Sequence, residues 1–243
     1  MAMWIKKVKN FFLDLFSPKF CFGCKREGNY LCQDCIATLE VSEYQYCLCQ
    51  KPKRIIDQGK CPSCKTKKLS GLYFPLPYQN PLIKNLIQHF KYEPFVKELA
   101  KPLSSLIINH FQLLGKETTF SDFILIPIPL EKKRLKWRGF NQAEEIAKEL
   151  SIFLKIPLIN NVLIKEKETP PQVDLSEKER ERNILGVFSC QNKNGIYGKK
   201  ILLVDDVYTT GSTMEEAAKI LKEAGAKEVW GTVVARETWE EKI

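Results

Sequence analysis

The sequence predicts an α/β fold, a mainly parallel sheet with helices on both faces, preceded by a small cysteine-rich domain that binds zinc. Two observations predict the sheet. Short apolar strands alternate with amphipathic helices after residue 71, and one strand leads directly into a carboxylate pair and a hydroxyl-rich turn. The zinc domain is predicted because eight of the nine cysteines lie between residues 21 and 64. We therefore expect an N-terminal helix and zinc domain over residues 1–70 and the α/β domain over residues 71–243.

The composition limits what kind of protein this is. With 243 residues, 44% of them hydrophobic, the chain is long enough for one full core and a small accessory domain. No apolar run approaches the roughly twenty residues that a bilayer span needs. The amino end has no small-residue cleavage site of the kind that marks a signal peptide. These features predict a soluble protein.

Residues 3–16 form the first predicted helix. Their apolar side chains fall on one helical face, and lysines stand near the start. The favoured interpretation is a helix that docks on its own domain. A peripheral contact with a membrane surface, or with a partner protein, is the alternative.

The cysteines come in four close pairs, which favours structural zinc over disulfides in an intracellular chain. Two thiolates at this spacing can reach one tetrahedral ion from a single tight turn. Two ions are the natural count. Joining neighbouring pairs gives one site of Cys21, Cys24, Cys32 and Cys35 and another of Cys47, Cys49, Cys61 and Cys64. An interleaved arrangement stays open as the alternative, and in either case the ions stabilise a segment with little core of its own.

From residue 74 onward the pattern alternates between helices and strands. A helix with an apolar stripe over residues 82–90 is followed by a second helix after Pro94 and by a strand over residues 123–128. The series continues with a basic loop at 132–138, a helix at 143–153, a strand at 201–204, a helix at 213–224 and a strand at 229–234. Gly71 and the prolines of residues 69–77 predict a linker between the two domains.

Residues 201–213, with the sequence ILLVDDVYTTGST, carry the clearest chemistry. The apolar residues predict a buried parallel strand, and open α/β sheets bind ligands beyond the carboxyl ends of such strands. Hydroxyls, main-chain N–H groups and a helix dipole then cradle a phosphate at Thr209, Thr210, Gly211, Ser212 and Thr213, with the glycine allowing close approach of the ligand. Asp205 and Asp206 would accept hydrogen bonds from vicinal ribose hydroxyls. The sequence therefore predicts a site for a ribose 5-phosphate.

The charge of the chain suits a polyanionic partner. The formal net charge is +9, and two filled four-thiolate sites would lower it to about +5. Basic residues cluster at 51–54, 65–68 and 132–138, and aromatic residues such as Trp137 lie beside them. Such a combination suits single-stranded DNA, whose bases stack on aromatic rings. Solvated basic faces and buried aromatic residues are the alternative interpretation.

Five blocks of sequence together resemble the ComF family of competence proteins. They are the cysteine pairs, Lys91-Tyr92, the PIPL…R…RGFNQ stretch of residues 127–142, the T-x-x-Q-x-x-L…R-x-x-N…F pattern of residues 169–188, and the string of residues 201–213. The last block resembles the signature of type I phosphoribosyltransferases. One departure is the third cysteine pair, where Tyr46 stands at the usual first position and Cys47 follows one residue later.

The resemblance implies a type I phosphoribosyltransferase-like domain that binds phosphoribosyl pyrophosphate with magnesium. We expect Arg134 and Arg138 to neutralise the pyrophosphate, because a guanidinium can bind two oxygens at once. Arg180 lies in a predicted lid over residues 165–183 that would close over the leaving group. Thr209 replaces the aspartate with which oxopurine-specific enzymes accept a proton, so the sequence predicts against hypoxanthine and guanine as substrates.

The resemblance also implies a role in natural transformation, in the cytoplasm at the inner membrane. Single-stranded DNA and competence or recombination proteins are the implied partners. Two function classes stay open at this point. One is an enzyme that transfers the phosphoribosyl group to an acceptor the sequence does not name, and the other is a non-catalytic module that senses a ribose phosphate and binds nucleic acid or protein.

Overall fold

The computed structural model describes residues 18–56, 59–166 and 184–237. By internal packing the chain divides into two compact units, Met1–Glu40 and Val41–Ile243. This division falls earlier than the predicted boundary after residue 70, so the second group of cysteines belongs to the same unit as the sheet. The predicted N-terminal helix, Arg180 and most of the predicted lid lie outside the described residues.

The elements within these ranges follow the predicted pattern closely. The helices are α1 (Gln33–Ala37), α2 (Pro81–Lys91), α3 (Ala100–Leu113), α4 (Lys132–Arg138), α5 (Gln142–Leu154) and α6 (Ser212–Glu223). The strands are β1 (Gln45–Tyr46), β2 (Arg54–Ile55), β3 (Gly71–Tyr73), β4 (Leu76–Pro77), β5 (Phe123–Pro127), β6 (Leu163–Lys165), β7 (Phe188–Cys190), β8 (Lys200–Val204), β9 (Val207–Tyr208), β10 (Glu228–Thr232) and β11 (Ala235–Arg236). The basic segment predicted as a loop is instead α4, because good helix formers fill it up to Gly139. In the part of the chain that the structure describes, no helix has both the length and the apolar character needed to cross a bilayer.

The larger unit is built on a six-stranded sheet with the order β2-β1-β3-β10-β8-β5. The last four strands are parallel, and β1 and β2 form an antiparallel edge. Consecutive residues of β8 from Ile201 to Val204 are all 0% exposed, so both faces of the sheet are covered. The predicted α/β class with a mainly parallel sheet is confirmed.

Three of the parallel strands continue beyond their carboxyl ends after a short break. β4, β11 and β9 follow β3, β10 and β8 along the chain and pair in parallel in the same order. Asp205 and Asp206 form the break between β8 and β9. Hydrogen bonds hold this break, because Asp205 N donates to Thr232 O at 3.1 Å and Asp206 O accepts from Val234 N at 3.0 Å. The carboxylate pair therefore stands on well-fixed main chain.

Residues 69–77, predicted as an interdomain linker, supply β3 and β4 instead. Gly71 serves close packing rather than a turn, because a Cβ at this position would clash with the ring of Trp230. That ring also stacks on Tyr73, with 5.4 Å between ring centroids. Leu69 and Leu72 are 0% exposed, so the segment is part of the core.

Helices α2 and α5 begin at asparagine caps. Asn80 Oδ1 accepts from Leu82 N at 3.0 Å, and Pro81 occupies the first helical position. Asn141 Oδ1 accepts from Ala143 N at 3.1 Å. Its amide also donates to Ile128 O at 2.9 Å, so the second cap fixes the start of α5 against the chain just beyond β5.

A buried histidine in α3 makes the stability of the fold depend on pH. His110 is 1% exposed, and its Nδ1 lies 2.7 Å from the carbonyl oxygen of Ser42. Burial lowers the pKa of this imidazole from 6.5 to about 4. As pH falls from about 6.5 to about 4, the unfolded chain takes up a proton on this histidine that the folded chain does not. The free energy of unfolding therefore falls over this pH range.

We expect His110→Gln, which stays neutral, to remove this part of the acid sensitivity. Between the two pKa values, the free energy of unfolding of the wild type falls by on the order of 3 kcal/mol. Urea denaturation of both proteins above, within and below the window measures it. A difference between the two proteins that stays constant with pH would contradict the prediction.

Candidate functional site

The structure draws the cysteines into two groups of four. Within each group the sulfur atoms all lie within 4.8 Å of one another. The first tetrad is Cys21, Cys24, Cys32 and Cys35, and the second is Cys47, Cys49, Cys61 and Cys64. These are the neighbouring pairs that the sequence favours, and Cys47 lies within its group despite its shifted position.

The sulfur separations fit a tetrahedral ion. Cys24 and Cys32 are 3.5 Å apart, Cys21 and Cys32 3.7 Å, and Cys49 and Cys61 3.4 Å. Bonds of about 2.3 Å to one zinc ion require sulfur separations of about 3.8 Å. Both tetrads could therefore hold a metal ion, and four thiolates are ligands typical of structural zinc.

Local backbone geometry explains the first tetrad. Lys25 N donates to Cys21 O at 2.9 Å and closes a tight turn, with Lys25 in the left-handed conformation at a φ of 63°. Cys32 directly precedes α1, and its N–H donates to Cys21 Sγ at 3.4 Å. An N–H directed at a sulfur stabilises the thiolate, which is the form that binds a metal.

The second tetrad is embedded in the main core. Lys53 N donates to Cys47 Sγ at 3.2 Å, and Cys61 N donates to Cys64 Sγ at 3.3 Å. Cys47 and Cys64 are buried and belong to the same hydrophobic cluster as Met214 of α6. These hydrogen bonds from main-chain N–H groups to sulfur atoms thus lie at the hydrophobic core of the larger unit.

At the carboxyl edge of the sheet, two separate motifs come together. β5 and β8 pair in parallel with Pro127 opposite Val204, so the basic segment and the carboxylates leave the sheet from the same edge. Arg134 and Arg138 are one turn apart on α4 and share one side of that helix. Burial lowers the pKa of Arg138, and the negative charge of Asp206 opposes this change.

A lysine from a third segment pairs with one of the carboxylates. Lys91 Nζ, at the end of α2, lies 2.8 Å from Asp206 Oδ1. Burial disfavours the charge on Lys91, but the carboxylates of Asp206 and Asp205 outweigh it and raise the pKa of the lysine. For Asp205, burial and the charge of Asp206 outweigh the charge of Lys91, and they raise the pKa of this carboxyl group to about 7.

The carboxylate pair has the donor chemistry for a divalent cation. Its oxygens are the ligands that Mg²⁺ prefers. Burial, followed by repulsion from Asp206, raises the pKa of Asp205, and a bound cation would oppose both effects by favouring the charged carboxylate. The residues present therefore fit the magnesium ion that the family resemblance implies.

The RGFNQ sequence of residues 138–142 fixes the basic side of the site. Gln142 Nε2 donates to Phe90 O at 2.8 Å, and Gln142 Oε1 accepts from Arg138 Nη1 at 3.1 Å. Phe90 is the immediate neighbour of Lys91. One buried side chain thus sets the positions of the arginine and the lysine relative to each other.

The predicted phosphate turn joins β9 to α6. Thr210 Oγ1 and Ser212 Oγ are 2.8 Å apart, and Ser212 N donates to Thr210 Oγ1 at 3.3 Å. Thr209, Thr210, Gly211, Ser212 and Thr213 therefore stand at the amino end of a helix, where main-chain N–H groups attract anions. Gly211 has a φ of 84°, and a Cβ there would clash with the ring of Tyr208. The glycine is thus needed for packing against Tyr208, a reason different from the predicted approach of a ligand.

Two site residues had no role in the prediction from sequence. Lys91 stood in a family block without a role, and Lys165, which ends β6, stood only at the edge of the predicted lid. Burial and the charge of Arg134 lower the pKa of Lys165, while the charge of Asp205 opposes them. For Lys165 the one available signal was its place directly after the apolar residues 162–164, and for Lys91 it was its place in the family block.

The sequence of the chain is similar to those of known proteins. The phosphoribosyl transferase domain family matches residues 136–240. Competence protein ComFC of Bacillus subtilis is 31% identical to the chain over 205 residues, which cover 80% of the chain and 79% of that protein. The chain belongs to the ComF family of competence proteins.

Other relatives agree with this ComF assignment. DNA utilization protein YhgH of Escherichia coli strain K12 is 29% identical over 220 residues, covering 82% of the chain and 95% of that protein. Competence protein F of Haemophilus influenzae is 43% identical over 110 residues, and the chain spans 48% of its length. The ComF chain therefore combines a phosphoribosyltransferase domain with two cysteine tetrads that could hold metal ions.

The raised pKa of Asp205 makes the stability of the ligand-free ComF chain depend on pH. Its pKa is about 7 in the folded chain against an ordinary value of 3.8. Between these values the folded chain holds a proton that the unfolded chain has lost. The contribution of this group to the free energy of unfolding therefore falls as pH rises through the window.

We expect Asp205→Asn to gain stability relative to the wild type as pH rises through this window, with no further gain above about pH 7. Urea denaturation without ligand measures the difference. Asp122→Asn is the matched control, because Asp122 pairs with Lys200 at 2.9 Å and that hydrogen bond lowers its pKa. A gain of the same size in the control would contradict the assignment.

Proposed function

We propose that this ComF-family chain binds phosphoribosyl pyrophosphate with Mg²⁺ and transfers its phosphoribosyl group to an acceptor while single-stranded DNA is handled in natural transformation. The observation that carries this proposal is the meeting of two carboxylates with Lys91 and Arg138 beside a helix amino end. Lys91 lies 2.8 Å from Asp206, and the charge of Asp206 acts on Arg138. A ligand with a sugar diol between two anionic groups suits this distribution of charge.

Each part of the ligand has a proposed place. The 5-phosphate binds the turn of residues 209–213, where hydroxyls and N–H groups meet the helix dipole. The ribose hydroxyls donate hydrogen bonds to Asp205 and Asp206. The pyrophosphate binds Arg134 and Arg138, and Arg180 is proposed to close over it.

Asp205 and Asp206 are also the residues that would hold Mg²⁺, together with the ligand's own oxygens. The ion would supply positive charge that stabilises the leaving pyrophosphate. Arg138 adds a fixed guanidinium for the same charge, held in place by Gln142 at 3.1 Å. Placing these groups before the reaction saves the cost of reorganising them during it.

The transfer itself breaks the bond between ribose C1 and a pyrophosphate oxygen, and the electron pair leaves with that oxygen. A nitrogen of the acceptor forms the new bond to C1 and loses its proton to water or to the departing pyrophosphate. Thr209 cannot take up that proton near neutral pH. The acceptor is therefore proposed to be neither hypoxanthine nor guanine.

A second candidate function is a non-catalytic module that senses a ribose phosphate. Two observations favour it. Thr209 stands where a general base would be expected, and the ion pair of Lys91 with Asp206 already compensates one carboxylate at 2.8 Å. In this case the same residues bind the ligand, and its occupancy alters the binding of nucleic acid or of competence and recombination proteins.

Helix α4 supports the proposed contact with single-stranded DNA. Lys132, Lys133 and Lys136 are exposed, and Trp137 is 56% exposed with its ring edge-on to Phe95 at 4.9 Å. Lysines that follow a phosphate backbone and an exposed ring on which a base stacks are typical of such surfaces. We place this activity in the cytoplasm at the inner membrane, where incoming DNA arrives.

We further propose that both tetrads hold structural zinc. Four thiolates fill the tetrahedral coordination of each ion and leave no open position for a substrate. The ions therefore contribute to folding and not to the transfer reaction.

Isothermal titration with phosphoribosyl pyrophosphate and Mg²⁺ tests the ligand site. We expect Asp205→Ala and Asp206→Ala to weaken binding on the order of tenfold to a hundredfold, because each removes charge-assisted hydrogen bonds. Asp122 directly precedes β5, at the opposite end of the parallel strands from the carboxylate pair. Asp122→Ala is therefore the control, and it should bind the ligand with the affinity of the wild type. Equal affinity in all four proteins would refute the site.

A pyrophosphate-release assay then separates the two candidate functions. Release that depends on an added acceptor supports the enzyme. Binding without release, over the common bases and nitrogen nucleophiles, supports the sensing module.

Titration of single-stranded DNA across a salt series tests the surface on α4. We expect the logarithm of the affinity to fall linearly with the logarithm of salt concentration, as release of counterions requires. Trp137→Ala should cost about 1–3 kcal/mol if one base stacks on this ring. Ile152→Ala on α5, where the side chain is 74% exposed, is the control, and equal losses in both variants would contradict a stacking role.

A further inference from the structure

The second tetrad and the phosphate turn are joined through a buried arginine. Arg236 of β11 is 0% exposed, its Nη1 donates to Cys47 O at 2.8 Å, and its Nη2 donates to Cys49 O. Its guanidinium lies 5.1 Å from the ring centre of Tyr208. A fully buried arginine is costly unless its donors are satisfied. The carbonyls of Cys47 and Cys49, on the turn that carries two of the tetrad's sulfurs, satisfy its two Nη groups, while its Nε has no hydrogen-bond partner within the described residues.

Tyr208 transmits this contact to the turn itself. Its side chain is 3% exposed, and its ring lies against Gly211 so closely that no Cβ would fit there. Within the described residues its hydroxyl has no hydrogen-bond partner, so packing sets the position of the ring. A displacement of Tyr208 would therefore displace Gly211 and, with it, the main chain that is proposed to bind the phosphate.

The other end of the turn is attached to the same cysteine segment. Glu215, in the first turn of α6, accepts hydrogen bonds from Lys68 N and, at 3.2 Å, from Leu69 N. Lys67 N in turn donates to Cys64 O at 3.1 Å. The chain that leaves the tetrad thus reaches α6 within a few residues.

We propose that the second tetrad, when it holds its metal ion, positions the phosphate turn for a ribose 5-phosphate through Arg236, Tyr208 and Glu215. A bound ion would fix the main chain around Cys47, Cys49 and Cys64. The carbonyls of Cys47 and Cys49 hold Arg236, and the N–H groups of residues 68 and 69 hold Glu215. Tyr208 is held by packing against Arg236 and Gly211. The inference rests on the proposed function, because it concerns the same turn. The three residues act through the turn, so they are positioning residues.

Calorimetry with two probes tests the proposal. Ribose 5-phosphate reports on the turn, and inorganic pyrophosphate with Mg²⁺ reports on the arginine side of the site. We expect Arg236→Met and Glu215→Ala to weaken ribose 5-phosphate on the order of tenfold, since a small misplacement of a binding group is enough for such a loss. Pyrophosphate affinity should stay unchanged. Glu223→Ala, an exposed charge at the far end of the same helix, is the control.

Tyr208 offers a conservative pair of variants. Tyr208→Phe keeps the ring and loses only a hydroxyl without a partner, so its affinity should equal that of the wild type. Tyr208→Leu removes the ring from Gly211, and we expect it to weaken ribose 5-phosphate as Arg236→Met does. Equal behaviour of the two variants would contradict the role of the ring.

Metal analysis by mass spectrometry completes the test. The double variant Cys61→Ser with Cys64→Ser should lose one ion and weaken ribose 5-phosphate. The double variant Cys24→Ser with Cys32→Ser should lose one ion from the first tetrad and keep its affinity. Should the variants of the second tetrad fail to fold, Arg236→Met and Glu215→Ala carry the test with every cysteine intact.

The outcomes separate the two proposals. Parallel losses of ribose 5-phosphate and pyrophosphate would indicate general damage and overturn the positioning role. If the wild type binds ribose 5-phosphate and the variants bind it equally well, the positioning role fails and the proposed function stands. If the wild type binds neither probe, the proposed function fails and the positioning role fails with it.

Discussion

The structure depends most on the need to compensate two adjacent carboxylates at the end of a buried strand. Asp205 and Asp206 repel each other, and burial together with this repulsion raises the pKa of Asp205 to about 7. Positive charge must therefore come from elsewhere in the chain. Helix α2 brings Lys91, α4 brings Arg138, and β6 brings Lys165. Three elements that are distant in the sequence thus place positive charge beside the carboxylate pair.

Local pattern predicts the elements and the metal ligands well. The run of residues 123–127 is apolar at every position because the strand is covered on both faces. The cysteine groups follow from spacing, since two thiolates a few residues apart can reach one ion only through a tight turn. In such cases the determining contacts lie within a few residues of one another, and the sequence displays them directly.

The features that the sequence did not predict depend on distant contacts. Nothing near Lys91 indicates that it pairs with Asp206, and nothing near Arg236 indicates that it meets the carbonyl of Cys47. Gly71 and Gly211 resemble turn and ligand positions, yet the rings of Trp230 and Tyr208 explain them. A glycine in the sequence indicates that the space beside the main chain is restricted, but it does not identify the atom that occupies that space.

The hydrogen bond from Arg236 to Cys47 has a consequence for how the protein is made, because it spans 189 positions of the chain. Closing so large a loop is entropically costly, and non-local contacts of this kind slow folding. During translation the cysteines leave the ribosome long before their guanidinium partner does. The hydrogen bonds that join the second tetrad to Arg236 can therefore form only after β11 has been synthesised.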